Sequence, residues 1–214
     1  MTTERLGNIR TPAQAWEEMR RGNERFLTGN PAHPRQDVER RAQLAERQFP
    51  HAALFGCSDS RLAAEIIFDK GIGDLFVVRN AGQVISDSVV GSLEYAVAVL
   101  DVPLIVVLGH DACGAVVAAI EATGPTPPPL PPHIKNLVDA IVPAVQRVTK
   151  GEGRFRRVDA SEAGREHLRN TIAELLRSSE LISDAIAAGT LAVVGANYRL
   201  LEGRVVPDVK IGLT

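Results

Sequence analysis

Residues 52–61 read Ala-Ala-Leu-Phe-Gly-Cys-Ser-Asp-Ser-Arg, and residues 103–113 read Pro-Leu-Ile-Val-Val-Leu-Gly-His-Asp-Ala-Cys. In each, an apolar run ends in side chains capable of chemistry. Strands of a parallel sheet covered by helices on both faces are apolar throughout rather than alternating, which is the pattern here. Such sheets gather the C-terminal ends of their strands on one edge, where sites form. Cys57, His110 and Cys113 therefore arrive at the same edge. Two thiols and an imidazole make a three-ligand set suited to Zn²⁺, leaving the fourth tetrahedral position for water or substrate. Asp59 and Arg61 follow Cys57 closely and add a carboxylate and a guanidinium.

Outward from these stretches, the pattern alternates strand and helix. Leu75-Phe76-Val77-Val78 reads as a second buried strand, and Leu191-Ala192-Val193-Val194-Gly195 as another. Between Ser88 and Leu100, Val89, Leu93, Ala96, Val97 and Leu100 recur at helical spacing. Short helices are expected over 62–68 and 114–122, and one or two more over 162–188. Arg204-Val205-Val206 is an edge-strand candidate with Pro207 as its limit. The expected fold is thus a single α/β domain over 1–214: a mostly parallel sheet of about four to five strands flanked by helices. Residues 52–123 and 189–212 would carry the sheet and the metal site, and 133–188 a helical part.

The N-terminal portion, about 11–48, is expected to form a helical arm. Thr11-Pro12 is a good helix start, with Gly29-Asn30-Pro31 as the stop. A second, mostly charged helix is expected over 37–48. Trp16, Met19, Phe26 and Leu27 do not obviously face one core; packing on a partner subunit accounts for them, and packing on the same subunit is equally allowed. Gly124 to Pro132 is a proline-rich connector, read as a spacer rather than a ligand for another protein. The helix expected over 134–149 contains Pro143, and 151–157 reads as a polar, basic loop.

Composition bounds the function. The 214 residues carry a formal net charge of −2, without the basic excess of a nucleic-acid-binding surface. Hydrophobic residues make up 45%, yet no run approaches the roughly 20 a membrane-spanning helix needs. Met1-Thr2-Thr3-Glu4-Arg5 has no apolar stretch like that of a signal peptide, so cytoplasm is the expected compartment. The two cysteines, in that setting, suggest metal binding or catalysis before a disulfide.

Together the stretches resemble the β-class carbonic anhydrases, marked by C-x-D-x-R and a later H-x-x-C. Here these are Cys57-Ser58-Asp59-Ser60-Arg61 and His110-Asp111-Ala112-Cys113, with 52 residues between Cys57 and His110. Further blocks match: Phe76 to Gly82, Glu94 to Val97, Gly109 to Gly114, and Tyr198 with Glu202-Gly203. The resemblance covers about residues 12–210 and implies reversible hydration of CO₂ to bicarbonate by attack of a zinc-bound hydroxide. It implies one Zn²⁺ per chain on Cys57, His110 and Cys113, with Asp59, paired to Arg61, orienting the nucleophile. Asp59 is also a candidate fourth ligand in a closed, low-pH state known for some members. Of the Trp, Arg and Tyr that hold bicarbonate in members so regulated, Arg79 and Tyr198 are present and Leu54 replaces the Trp. Gln48, Phe76, Tyr95 and Gly114 match substrate-pocket positions, some of them supplied in certain members by the neighbouring subunit. A homodimer or dimer of dimers is implied, with CO₂ and bicarbonate as the small-molecule partners and neither nucleic acid nor membrane. His51 and His133 are candidates for a proton shuttle, each equally readable as a plain surface residue. Related enzymes acting on CS₂ or COS share these motifs, and a non-catalytic zinc-stabilised module is a third reading.

Overall fold

The computed structural model describes residues 9, 11–149 and 158–213, so the basic stretch 151–157 lies outside the described residues. Five strands form one sheet: β1 (Ala52–Cys57), β2 (Leu75–Asn80), β3 (Leu104–His110), β4 (Ala192–Arg199) and β5 (Arg204–Ile211), in the order β2-β1-β3-β4-β5. The first four are parallel and β5 runs antiparallel on β4. Every residue of β1 and β3 is buried, as their unbroken apolar runs imply.

Successive side chains leave a strand on opposite faces, so each central strand serves two cores. Ala52, Leu54, Leu104, Val106 and Leu108 face one side. That side is covered by α1 (Pro12–Leu27), α3 (Ala64–Ile67), α5 (Gly114–Ala122) and α6 (Pro132–Thr149), α6 continuing through Pro143. Ala53, Phe55, Ile105 and Val107 face the other, under α4 (Asp87–Ala98), α7 (Ala160–Ser178) and α8 (Glu180–Ala187). No helix among the described residues is long and apolar enough to cross a membrane.

α1 begins at a reciprocal cap: Gln14 N–H donates to the Thr11 hydroxyl, and the Gln14 side chain accepts from Thr11 N–H. Its Ala15, Trp16 and Met19 are buried in the chain's own core, so these side chains are accounted for without a partner subunit. Asn23, also buried, joins three elements. Its amide donates to Ile67 O at 3.1 Å and Gly203 O at 2.9 Å, and its oxygen accepts from Val205 N–H at 3.0 Å. The approach is tight: a Cβ on Gly22 would lie 1.8 Å from Phe68 O.

Two boundaries differ from expectation. α2 (Val38–Gln43) stops well short of Gln48, because Leu44 tucks over Gly73 at a spot only a residue without a side chain leaves open. The chain then runs without helix to Pro50. Pro207 does not end the last strand but lies inside β5. It pairs with Ala196 where the register shifts, and a bulged edge strand does not need the missing N–H.

Asn23→Ala would leave three inward-facing backbone groups unpaired, each costing about 1 kcal/mol or more. A loss of about 2–4 kcal/mol is expected, measured by denaturant titration; an unchanged midpoint would show that the clamp contributes nothing.

Candidate metal centre

Parallel pairing of β1 with β3 sets Gly56 opposite Leu108, so both strands end at nearly the same level. Cys57 is the last residue of β1 and His110 the last of β3. A turn through Ala112, whose φ of 50° lies in the left-handed region, then brings Cys113 to the N-cap of α5. The turn is tied to the end of β4: Asp111 N–H donates to Tyr198 O, and the Asp111 carboxylate accepts from Leu200 N–H. The outcome is three buried ligand atoms within 4.8 Å of one another, from Cys57, His110 and Cys113.

The donor set suits a metal ion. His110 Nδ1–H donates to Asp111 O at 2.8 Å, which fixes the tautomer and leaves Nε2 as a lone pair. That Nε2 is buried, and no geometric hydrogen bond reaches it among the described residues. Two sulfurs this close repel as a pair of anions, which favours one thiolate beside one protonated thiol. Hydrogen bonding to Cys113 pushes the Cys57 thiol down, against burial, helped by the neighbouring His110 ring and the backbone N–H groups of Gly82 and Asp59. The same contact, with burial, drives Cys113 upward despite the N–H groups of Ala115 and Val116 at the start of α5. Only a cation lets both ionise together.

Asp59 stands outside this group. Arg61 grips it with both oxygens, Nε to Oδ1 at 2.9 Å and Nη2 to Oδ2 at 2.7 Å, while Arg61 N–H adds a third bond at 2.9 Å. Hydrogen bonding to the Arg61 side chain holds Asp59 well below the usual carboxylate range, outweighing its desolvation. Arg79 donates to Cys57 O and Asp59 O, at 2.9 and 2.5 Å, which secures the loop behind the site. Leu54 is buried in the core, and Tyr198 stands opposite His110 in the β3–β4 register.

The remaining sequence candidates scatter. Gly114, at the first position of α5, adjoins Cys113. Phe76 pairs with Ala53, four residues before Cys57, which places it roughly 13 Å back along the sheet. Its ring lies 6.2 Å from that of Tyr95, and Tyr95 and Gln48 border an open groove of about 580 Å³ with Leu44, Phe49 and Leu100. Gln48, Phe76 and Tyr95 thus form a group separate from their own chain's metal ligands. His51 is not a surface residue. It is fully buried just before β1, at the far end of that strand from Cys57, and burial pushes it down to about 4. His133 is exposed in the first turn of α6.

Sequence reasoning passed over two residues behind the sulfurs. Gly82, at φ 80°, points its N–H at Cys57 Sγ, 3.4 Å away. His167, buried on α7, hydrogen-bonds Gly82 O at 2.7 Å. The available signal was a histidine among Ala163, Leu168 and Ile172, positions whose spacing marks the buried face of the helix.

The family profile described as carbonic anhydrase matches residues 52–205. The carbonic anhydrase 2 of Mycobacterium tuberculosis is 50% identical over 201 residues, covering 94% of this chain and 95% of that protein. The carbonic anhydrase of Mycolicibacterium smegmatis is 49% identical over 194 residues, covering 91% and 92% respectively. Among solved structures, one of the tetrameric beta-carbonic anhydrases of the fungus Sordaria macrospora superposes with a TM-score of 0.67 at 27% identity, covering 79% of this chain and 86% of that one.

The Asp59–Arg61 pair has a defined pH signature. Because the folded-state pKa lies below the unfolded value near 3.9, the pair's stabilisation is fully present above about pH 4 and lost as acid protonates Asp59. Arg61→Ala should therefore be less stable than the unaltered chain at neutral pH, with the gap narrowing below pH ~4. Urea titrations at several pH values read this directly, and a gap that widens in acid would contradict it.

Proposed function

The chain belongs to the β-class carbonic anhydrases, and on that premise we propose that Cys57, His110 and Cys113 hold the zinc ion on which its reaction depends. The reaction is the reversible hydration of CO₂ to bicarbonate and a proton. The observation that carries the assignment is the convergence of two thiols with an imidazole Nε2 that is buried and unpartnered. Bound zinc supplies the Lewis acidity that makes a water molecule a nucleophile near neutral pH, tempered here by two thiolates that cancel its charge.

The chain's own residues do the orienting. Asp111 O holds the His110 ring so that its lone pair faces the sulfurs. Asp59, kept ionised by Arg61, can accept a hydrogen bond but cannot donate one. It therefore selects a nucleophile that still carries a proton and turns the lone pair of that nucleophile towards the substrate carbon. While paired with Arg61 it stays off the metal; in a closed state it would be the fourth ligand. Arg61 also reaches Ala112 O at 3.4 Å, which ties the carboxylate to the turn between His110 and Cys113.

Gln48, Phe76 and Tyr95 serve the site of a neighbouring subunit in this reading, since they stand apart from their own chain's ligands. Tyr95 on α4 and Val99 just past its end are 46% and 58% exposed and supply an apolar surface for such a contact. The chain accordingly works as a homodimer or dimer of dimers; the Sordaria relatives are described as tetrameric. Cytoplasmic residence accompanies the reading, because Cys57 and Cys113 are free thiols and a reducing compartment keeps them available to zinc.

The deciding measurement is stopped-flow CO₂ hydration over about pH 6.5–9 on protein of known zinc content. Activity should rise with pH, and the acid limb will not be Asp59 protonation, which belongs far lower. Asp59→Asn should retain its zinc while losing about 10²-fold or more in kcat/KM. A chain carrying one zinc that hydrates no CO₂ at any of these pH values would overturn the proposal, with CS₂ and COS the next substrates to test.

A further inference from the structure

α7 turns one face towards the segment that follows β2. His167 and Thr171, one helical turn apart on that face, are 3% and 2% exposed. The Gly82 carbonyl can only accept, so His167 Nε2 carries the hydrogen of their 2.7 Å bond. Thr171 Oγ1 shares its single hydrogen between His167 O of its own helix, at 3.0 Å, and the next carbonyl of the turn, Gln83 O, at 3.3 Å. One helix thus meets two successive carbonyls of a single turn, and the His167 bond is the short, undivided one.

The rest of that turn is equally constrained. The Asn80 side chain reads the backbone of Val84 in both directions, donating to its oxygen at 2.7 Å and accepting from its N–H at 2.9 Å. Gly82 occupies a left-handed conformation, and a Cβ there would come within 2.9 Å of both Ala115 Cβ and Ile141 Cδ1. Between these contacts the Gly82 N–H is aimed at Cys57 Sγ. His167 Nδ1 is buried without a partner among the described residues, where the imidazole reaches the turn through its Nε2 bond alone.

We propose that His167 is a positioning residue of the metal centre, clamping Gly82 so that its N–H stays on the Cys57 sulfur. The inference rests on the reading of Cys57 as a metal ligand. A thiolate that accepts a hydrogen bond donates less charge to its metal, and contacts behind the ligands typically govern metal retention. His167 is buried and its hydrogen is committed to the backbone, so it neither touches the substrate nor carries protons.

Cobalt-substituted full-length protein tests this, because sulfur-to-cobalt charge-transfer absorption reports the sulfur directly. His167→Leu and His167→Asn both lose the bond to Gly82, the Asn amide being too short. The His167→Gln amide nitrogen falls where Nε2 stood. The Leu and Asn variants should shift the band to lower energy and release metal to a chelator about tenfold or more faster, while Gln retains the original values. Band and release rate unchanged in Leu and Asn, even with a lower Tm, would reduce His167 to a packing role and overturn the inference. Gln behaving like Leu would do the same. If the unaltered chain takes up no cobalt or zinc, the ligand assignment fails and the inference falls with it.

Discussion

Two sulfurs held together below the protein surface can share one proton but cannot both be anions without a cation beside them, and much of this fold serves that pair. A one-residue slip in the β1–β3 register would send Cys57 to the opposite face and dismantle the ligand set. The pairing of Gly56 with Leu108 prevents it, and the two-sided apolar packing of both strands enforces that pairing. Leu54, Val106 and Leu108 on one face, with Phe55, Ile105 and Val107 on the other, belong to two cores that would both be disrupted by a slip. The burial that stabilises the sheet is thus what places the chemistry.

Around the sulfurs the backbone supplies a second layer of control. N–H groups of Gly82 and Asp59 act on Cys57, and those of Ala115 and Val116 on Cys113. Directing so many donors inward requires unusual conformations: Gln83 and Ala112 have φ values of 42° and 50°, in a region non-glycine residues visit at a cost of roughly 1–2 kcal/mol. Each is held by specific bonds. The Thr171 hydroxyl, shared with His167 O, reaches the Gln83 carbonyl, and the Asp111 bonds to the end of β4 anchor the turn containing Ala112. Strain beside the ligands is offset by polar contacts to helices and strands that are rigid for other reasons.

The parts legible in the sequence are those set by local pattern. Unbroken apolar runs marked β1 and β3, and the span of α5 follows from the cysteine before it and the apolar residues within it. Ligand types and spacing were enough to nominate the zinc set. What escaped depends on contacts between distant segments. The end of α2 is decided by Leu44 meeting Gly73, and the extent of β5 by a bulge that accommodates Pro207. His51 looked like a solvent-facing candidate because nothing local reveals that the segment entering β1 is already inside. Asn23 and His167 are polar residues on helical faces that pattern alone assigns to packing; their roles appear only when backbone carbonyls from elsewhere arrive opposite them.

Asp59 and Arg61 show how differently the two halves of the site are built. The sulfurs and imidazole are buried and backed by fixed donors, whereas the Arg61 side chain is 52% exposed. A bidentate pair at such exposure contributes little to stability, so little of the fold's energy resists its exchange for another partner. Were Asp59 to leave Arg61, the exchange would be local, with the contact of Arg61 to Ala112 O among the bonds to be broken. The buried Cys57, His110 and Cys113 and the surface-facing Asp59–Arg61 pair thus meet at one site under opposite constraints, fixed by packing on one side and open to solvent on the other.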